Sequence, residues 1–296
     1  MSRLTSFFSL DDFVTKRMVL FTVFFLLLYR LAVLVYFGWE FVDSDEVLLW
    51  QGVRDFAVGE FHEPRFYGQA YSSMLESLVA VPFYLLGIPL YIALPISTTL
   101  LCLFPFLILA RVLYKYKSKQ SALLVLLILF LLPVEYDILT TMSRGFVTGL
   151  AVGGLCFLTL FKKDNWLLFC LTGFALVLSF MVNPNALLLT VPVVGYQFLQ
   201  NFKNKYFYFG LIPGVLIGCL LYFAVESFYE VNPQLIVHSI EVEFNKTYFF
   251  KGIQDLGFYF DNISPFVGPR TGLLMAVPVL LGGYFLIKKN WKKALV

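Results

Sequence analysis

Residues 18–37, MVLFTVFFLLLYRLAVLVYF, run for 20 positions with one charge, Arg30, directly after Lys16 and Arg17. A helix of that length rises about 30 Å, the thickness of a bilayer's hydrocarbon core, and it exceeds the apolar stretch of a signal peptide. The run predicts an uncleaved signal anchor. Seven further uncharged runs follow at roughly 89–110, 120–134, 145–161, 165–182, 186–202, 206–225 and 271–287. Eight spanning helices account for most of the 296 residues, so the expected fold is an all-α polytopic membrane protein, with 1–296 a single transmembrane domain. Only 14% of residues are charged, against about a quarter in soluble domains, and no room is left for a soluble catalytic domain. A net charge of +3 excludes nucleic acid as the expected partner, which is instead the lipid bilayer. The four cysteines lie in apolar stretches with no Cys-x-x-Cys, and no His-x-x-x-His occurs, so neither a disulfide framework nor a zinc-dependent mechanism is indicated.

The segment 77–110 is 34 residues without a charge, longer than one span and short for two. Charge placement decides between them, because Lys and Arg collect in short cytoplasmic loops. If 77–87 only dips into the interface, 15 of the 22 basic residues fall inside and six outside. If it crosses, the count becomes seven inside and 14 outside. The first arrangement is expected, with both termini cytoplasmic. It places 16 of the 19 acids on the outer face, in the first outer loop (38–88), an apex near 134–144 and the last outer loop (226–270). Chemistry is expected there.

The first outer loop carries the strongest signal. Gly38-Trp39-Glu40-Phe41-Val42-Asp43-Ser44-Asp45-Glu46 holds four carboxylates in seven residues where the first span ends. Ser44 reads as the N-cap of an amphipathic surface helix over 45–57, with Asp45 and Glu46 in its first turn. Acids there also simply suit the positive end of a helix dipole. A second stretch, His62 to Glu76, carries His62, Arg65, Tyr67, Gln69, Tyr71 and Glu76 back to the membrane and continues into the non-crossing segment.

A first span, an outward acidic pair, a surface helix, Tyr67-Gly68-Gln69-x-Tyr71-x-x-x-Leu75-Glu76 and a second juxtamembrane helix together resemble the C-type (GT-C) integral-membrane glycosyltransferases. The likeness is to bacterial relatives of the protein O-mannosyltransferases and of the lipid A aminoarabinose transferases. It covers about 39–87, is weaker at Ser143-Arg144-Gly145, and beyond Asn183-Pro184-Asn185 rests on topology. The resemblance implies inverting transfer of a sugar from a polyprenyl-phosphate donor to an acceptor hydroxyl of a glycan, lipid or protein. It places the site on the extracytoplasmic face of a bacterial inner membrane. Asp45 matches the family's catalytic aspartate, with Glu46 beside it and Asp43 in reserve.

A base must take the acceptor proton and cations must hold the departing phosphate. Glu135 or Asp137 would supply a second acid, or else both are solvated loop residues. With Asp45 and Glu46 they would let Mg or Mn bridge to phosphate. Arg144 and Arg65 are candidate phosphate ligands, Arg144 equally an interface-snorkelling side chain. His62, Tyr67, Gln69, Tyr71 and Glu76 are the substrate-contact candidates. Arg30 is expected to be paired within the membrane. The aromatics of 226–270 suit sugar rings but are also ordinary at a membrane interface.

Two other readings are carried. A flippase or transporter of a lipid-linked glycan should show several mid-membrane charges, and only Arg30 qualifies. A non-catalytic or truncated relative, working with a partner subunit, is suggested by length, because these transferases commonly carry further spans or an outer C-terminal domain.

Overall fold

The computed structural model describes residues 16–69, 71–130, 140–142, 145–162, 164–237 and 245–255. Chain contacts divide the protein into two units, Met1–Leu127 with Thr140–Ile240, and Ile128–Leu139 with Glu241–Val296. Among the described residues the elements are helical.

In the first unit, α1 (Lys16–Val33) continues through a wider turn, Leu34–Gly38. It is followed by α2 (Ser44–Ala57), α3 (Leu75–Leu85), α4 (Leu90–Tyr116), α5 (Lys119–Ile128), α6 (Gly145–Gly153) with a tight turn Gly154–Thr159, α7 (Trp166–Val182), α8 (Leu187–Asn201) and α9 (Lys205–Val231). α5 ends on the first residue of the second unit. That unit's other described helix is α10 (Lys246–Asp255), where Asn245 Oδ1 accepts the Thr247 amide at 2.9 Å as an N-terminal cap.

Among the described residues three helices are long and apolar enough to cross a membrane: Lys16–Gly38, Leu90–Tyr116 and Lys205–Val231. Their outer faces are bare hydrocarbon. Leu20, Phe21, Phe24 and Phe25 on α1, and Phe209, Leu216, Leu220 and Phe223 on α9, are all more than half exposed. Water does not tolerate apolar surface on that scale, and the chain is a helical membrane protein. The remaining apolar helices are shorter than the expected spans. α5 covers ten residues where 120–134 was expected, and 131–139 and 271–287 lie outside the described residues. α3, at 11 residues, rises about 16 Å, half a bilayer core, which suits a segment that dips without crossing.

Arg30, in the first span, is 1% exposed, and its Nη1 donates to Thr140 Oγ1 at 2.8 Å. Thr99 Oγ1 donates to the Thr140 carbonyl at 3.3 Å. Gly38 lies so close to Thr141 that a Cβ would sit 2.9 Å from the threonine Cβ. The Thr140–Thr141 pair thus ties the upper part of α1 to α4, and it meets the need for a partner that burying a guanidinium creates.

Among the described residues α7 and α9 form the closest helix pair. A Cβ at Gly210 would lie 2.2 Å from the Trp166 carbonyl oxygen, at Gly214 2.0 Å from that of Cys170, and at Gly218 2.6 Å from Val177 Cβ. Small residues every fourth position let backbones touch, the packing used where lipid removes any hydrophobic drive between helices. The paired positions rise together, so α7 and α9 run parallel, and α8 links the end of one to the start of the other. Gln197 of α8 donates through Nε2 to the Cys156 carbonyl at 2.7 Å, and Thr159 and Thr172 share a hydroxyl hydrogen bond of 2.8 Å.

Candidate functional site

At the end of the first span the Trp39 amide returns to the Leu34 carbonyl at 2.9 Å, and the chain then extends to Asp43, at φ −123° and ψ 179°. Asp43 Oδ1 accepts the Glu46 amide at 3.0 Å. The cap is therefore Asp43, one residue before the expected Ser44, which instead opens the helix. A carboxylate caps as well as a hydroxyl and adds charge at the positive helix end. Glu46 is 1% exposed and continues into the buried face formed by Leu49, Gly52 and Val53. Asp45, about 100° away round the helix, is half-buried. The acidic pair is thus split into one fully buried and one partly exposed carboxylate.

α2 packs on α3 through Gly52, where a Cβ would lie 2.3 Å from Met74 Cε, and through Ser77 Oγ, which donates to the Leu49 carbonyl at 2.8 Å. The connecting loop reverses at Gly59 (φ 82°) and again at Gly68 (φ 80°), conformations that favour glycine. Three polar groupings hold this loop.

The first centres on Asp55, buried at the end of α2. Gln51 Nε2 donates to Asp55 Oδ1 at 2.7 Å and the Tyr67 hydroxyl to Oδ2 at 2.9 Å. Burial first, then the hydrogen bond to Asp55 and nearby carboxylates, raise the Tyr67 pKa. His62 Nε2 lies 3.4 Å from Asp55 Oδ2 and 3.8 Å from Glu60 Oε2.

The second joins the loop to α9. The Tyr229 hydroxyl donates to Glu63 Oε2 at 2.9 Å and accepts the Arg65 amide at 3.1 Å. The Arg65 guanidinium hydrogen-bonds to Glu226 and lies 5.0 Å from the centre of the Tyr229 ring. The Gly68 carbonyl accepts the Val237 amide at 2.9 Å. Arg65, a phosphate candidate, is held here in an ion pair.

The third is Glu76, fully buried in the first turn of α3. Burial pushes its carboxyl up to about 7, while the Thr148 hydroxyl and the backbone favour the charged form more weakly. The hydroxyl does not reach hydrogen-bond geometry. Both Glu76 carboxyl oxygens and Thr148 Oγ1 are without partners among the described residues.

Of the other substrate candidates, Gln69 and Tyr71 are half-buried in the loop. Glu135, Asp137 and Arg144 lie outside the described residues. Consequently no third ligand joins Asp45 and Glu46 among the described residues, where the one grouping of three metal-binding side chains is Asp55, Glu60 and His62. Asp55 was missed in the sequence because it sits among the apolar helical positions of α2; its fourth-residue spacing from Gln51 was the available signal. Tyr229, one of the aromatics of 226–270, and Glu226 anchor the loop, a role the sequence does not signal.

In comparison with known proteins, the chain matches no family model, no curated protein and no solved structure.

Proposed function

We propose that this protein is a multi-pass glycosyltransferase with a C-type core of eight spans, transferring a sugar from a polyprenyl phosphate to an acceptor hydroxyl on the extracytoplasmic face of a bacterial inner membrane. One observation carries the reading. Asp45 is a partly exposed carboxylate in the first turn of a capped helix that begins six residues after the first membrane-spanning helix ends, and the loop leaving the other end of that helix is held on Asp55 by Tyr67.

In this reading the acceptor oxygen attacks the anomeric carbon as the bond from that carbon to the phosphate oxygen breaks. Asp45 takes the acceptor proton, polyprenyl phosphate departs, and the configuration inverts. General-base assistance of this kind contributes about 10²–10⁴-fold. Glu46 shapes the site from its buried side, and Tyr67, Gln69, Tyr71 and His62 belong to the substrate-facing loop, whereas Glu76, fully buried in the first turn of α3, does not face substrate. Glu135, Asp137 and Arg144 are assigned to the apex that would complete it. A Mg or Mn ion, if bound by Asp45 with an apex acid, would neutralise the departing phosphate. The acceptor is a glycan, lipid or protein hydroxyl.

The test uses the purified chain in proteoliposomes with a panel of polyprenyl-phosphate sugars labelled in the sugar. Release of polyprenyl phosphate with covalent transfer to an acceptor supports the reading. Movement of the intact donor across the bilayer without transfer would establish the flippase alternative. Transfer only after adding a second membrane protein would mark the chain as a subunit.

A further inference from the structure

The Asp55 carboxylate is 7% exposed in its side chain, and its two hydrogen-bond donors, Gln51 and Tyr67, are neutral. Its one cationic neighbour among the described residues is His62, which is charged only when protonated. A buried carboxylate without a fixed counter-charge is costly.

Around it, Glu60 and His62 are brought back over the end of α2 by the turn at Gly59, which the Glu60 amide closes by donating to the Asp55 carbonyl at 2.8 Å. One ligand atom from each of Asp55, Glu60 and His62 lies within 4.8 Å of the others. The separations of His62 Nε2 from the carboxylate oxygens, 3.4 Å and 3.8 Å, exceed the 2.7–3.2 Å of an N–H···O hydrogen bond. Two ligands of one tetrahedral zinc, each at about 2.1 Å, stand about 3.4 Å apart. The spacing therefore suits atoms sharing a cation better than atoms sharing a proton.

We propose that Asp55, Glu60 and His62 form a zinc-binding site at the C-terminal end of α2, with water in the fourth position. One imidazole nitrogen and two carboxylate oxygens are a donor set that zinc accepts. Gln51 and Tyr67 orient the Asp55 carboxylate from behind, and the His62 ring meets Tyr67 edge-on at 5.9 Å between centroids. The Glu60 and His62 side chains are 62% and 55% exposed, which leaves a path for the ion and for its water. A bound ion would supply the counter-charge Asp55 lacks and pin the loop 58–62 to the helix. Asp45 is not among its ligands, and although His62 and Tyr67 also lie in the loop assigned to substrate, the zinc site does not depend on the transferase reading.

Titrating ZnCl₂ into the metal-stripped full chain in detergent, with calorimetry and X-ray absorption, tests this. Expected are one saturable zinc per chain with a single imidazole in its coordination shell, and weakening of about tenfold or more in both His62→Gln and Glu60→Gln. Both altered side chains are exposed, so the fold should survive. Asp45→Asn is expected to bind zinc as the wild type does, which separates this site from the proposed catalytic acids. No saturable zinc binding, or binding unchanged in His62→Gln and Glu60→Gln, would overturn the proposal.

Discussion

Asp43 Oδ1 receives the Glu46 amide at 3.0 Å, so the acid two residues before Asp45 caps the helix that presents Asp45. Asparagine also caps, whereas alanine does not. Asp43→Asn should leave transfer near wild type. Asp43→Ala should lower stability by about 1 kcal/mol and reduce transfer through misplacement of Asp45. Comparing apparent Tm and initial rates of the two variants checks this, and equal rate losses in both would return Asp43 to a chemical role.

The Tyr229 hydroxyl serves Glu63 and the Arg65 backbone at once, linking the first loop to the end of α9. Tyr229→Phe removes both bonds and leaves the buried Glu63 carboxylate short of a donor. A loss of about 1–3 kcal/mol is expected. Faster proteolytic cleavage within 58–74 in Tyr229→Phe than in the wild type, measured in detergent, is the accompanying sign.

Gly214 touches the Cys170 carbonyl, while Gly195 has open space around its Cβ position. Gly214→Ala should destabilise by about 1–3 kcal/mol by forcing α7 and α9 apart. Gly195→Ala should be neutral or slightly stabilising. Thermal unfolding of the pair compares the two directly, with the second variant controlling for helix propensity.

Glu76 has its carboxyl raised from 4.5 to about 7 by burial. Protonation is favoured in the folded state, so the contribution to stability is full below about 4.5 and falls as pH rises to about 7, then levels off. The whole effect is roughly 3 kcal/mol. Glu76→Gln should therefore match the wild type at pH 5 and exceed it at pH 8. Apparent Tm measured from pH 4.5 to 8.5 reads the crossover.

Much of the architecture around the first loop was legible in the sequence because it rests on local rules. The 20-residue run before Gly38, the apolar spacing from Val47 to Ala57 and the short segment after Glu76 each predict their helices from period and length. The cap moved by one residue because Asp43 and Ser44 are both good caps, and only the backbone turn chooses between them. What could not be read depends on contacts far apart in the chain. Arg65 pairs with Glu226, 161 residues away, and Tyr229 with Glu63, 166 away. The glycine ladder at 210, 214 and 218 was visible as a spacing, yet its partner on α7 was not. Asp55 was hidden by its apolar neighbours, since a single buried acid leaves the helical period intact.

The central claim rests on Asp45 as the base, and its most direct test is the rate of sugar transfer by Asp45→Asn in proteoliposomes. The amide keeps the shape and the helix but cannot take the acceptor proton. The account predicts a fall of about 10²-fold or more with unchanged thermal stability. Transfer at the wild-type rate would contradict it.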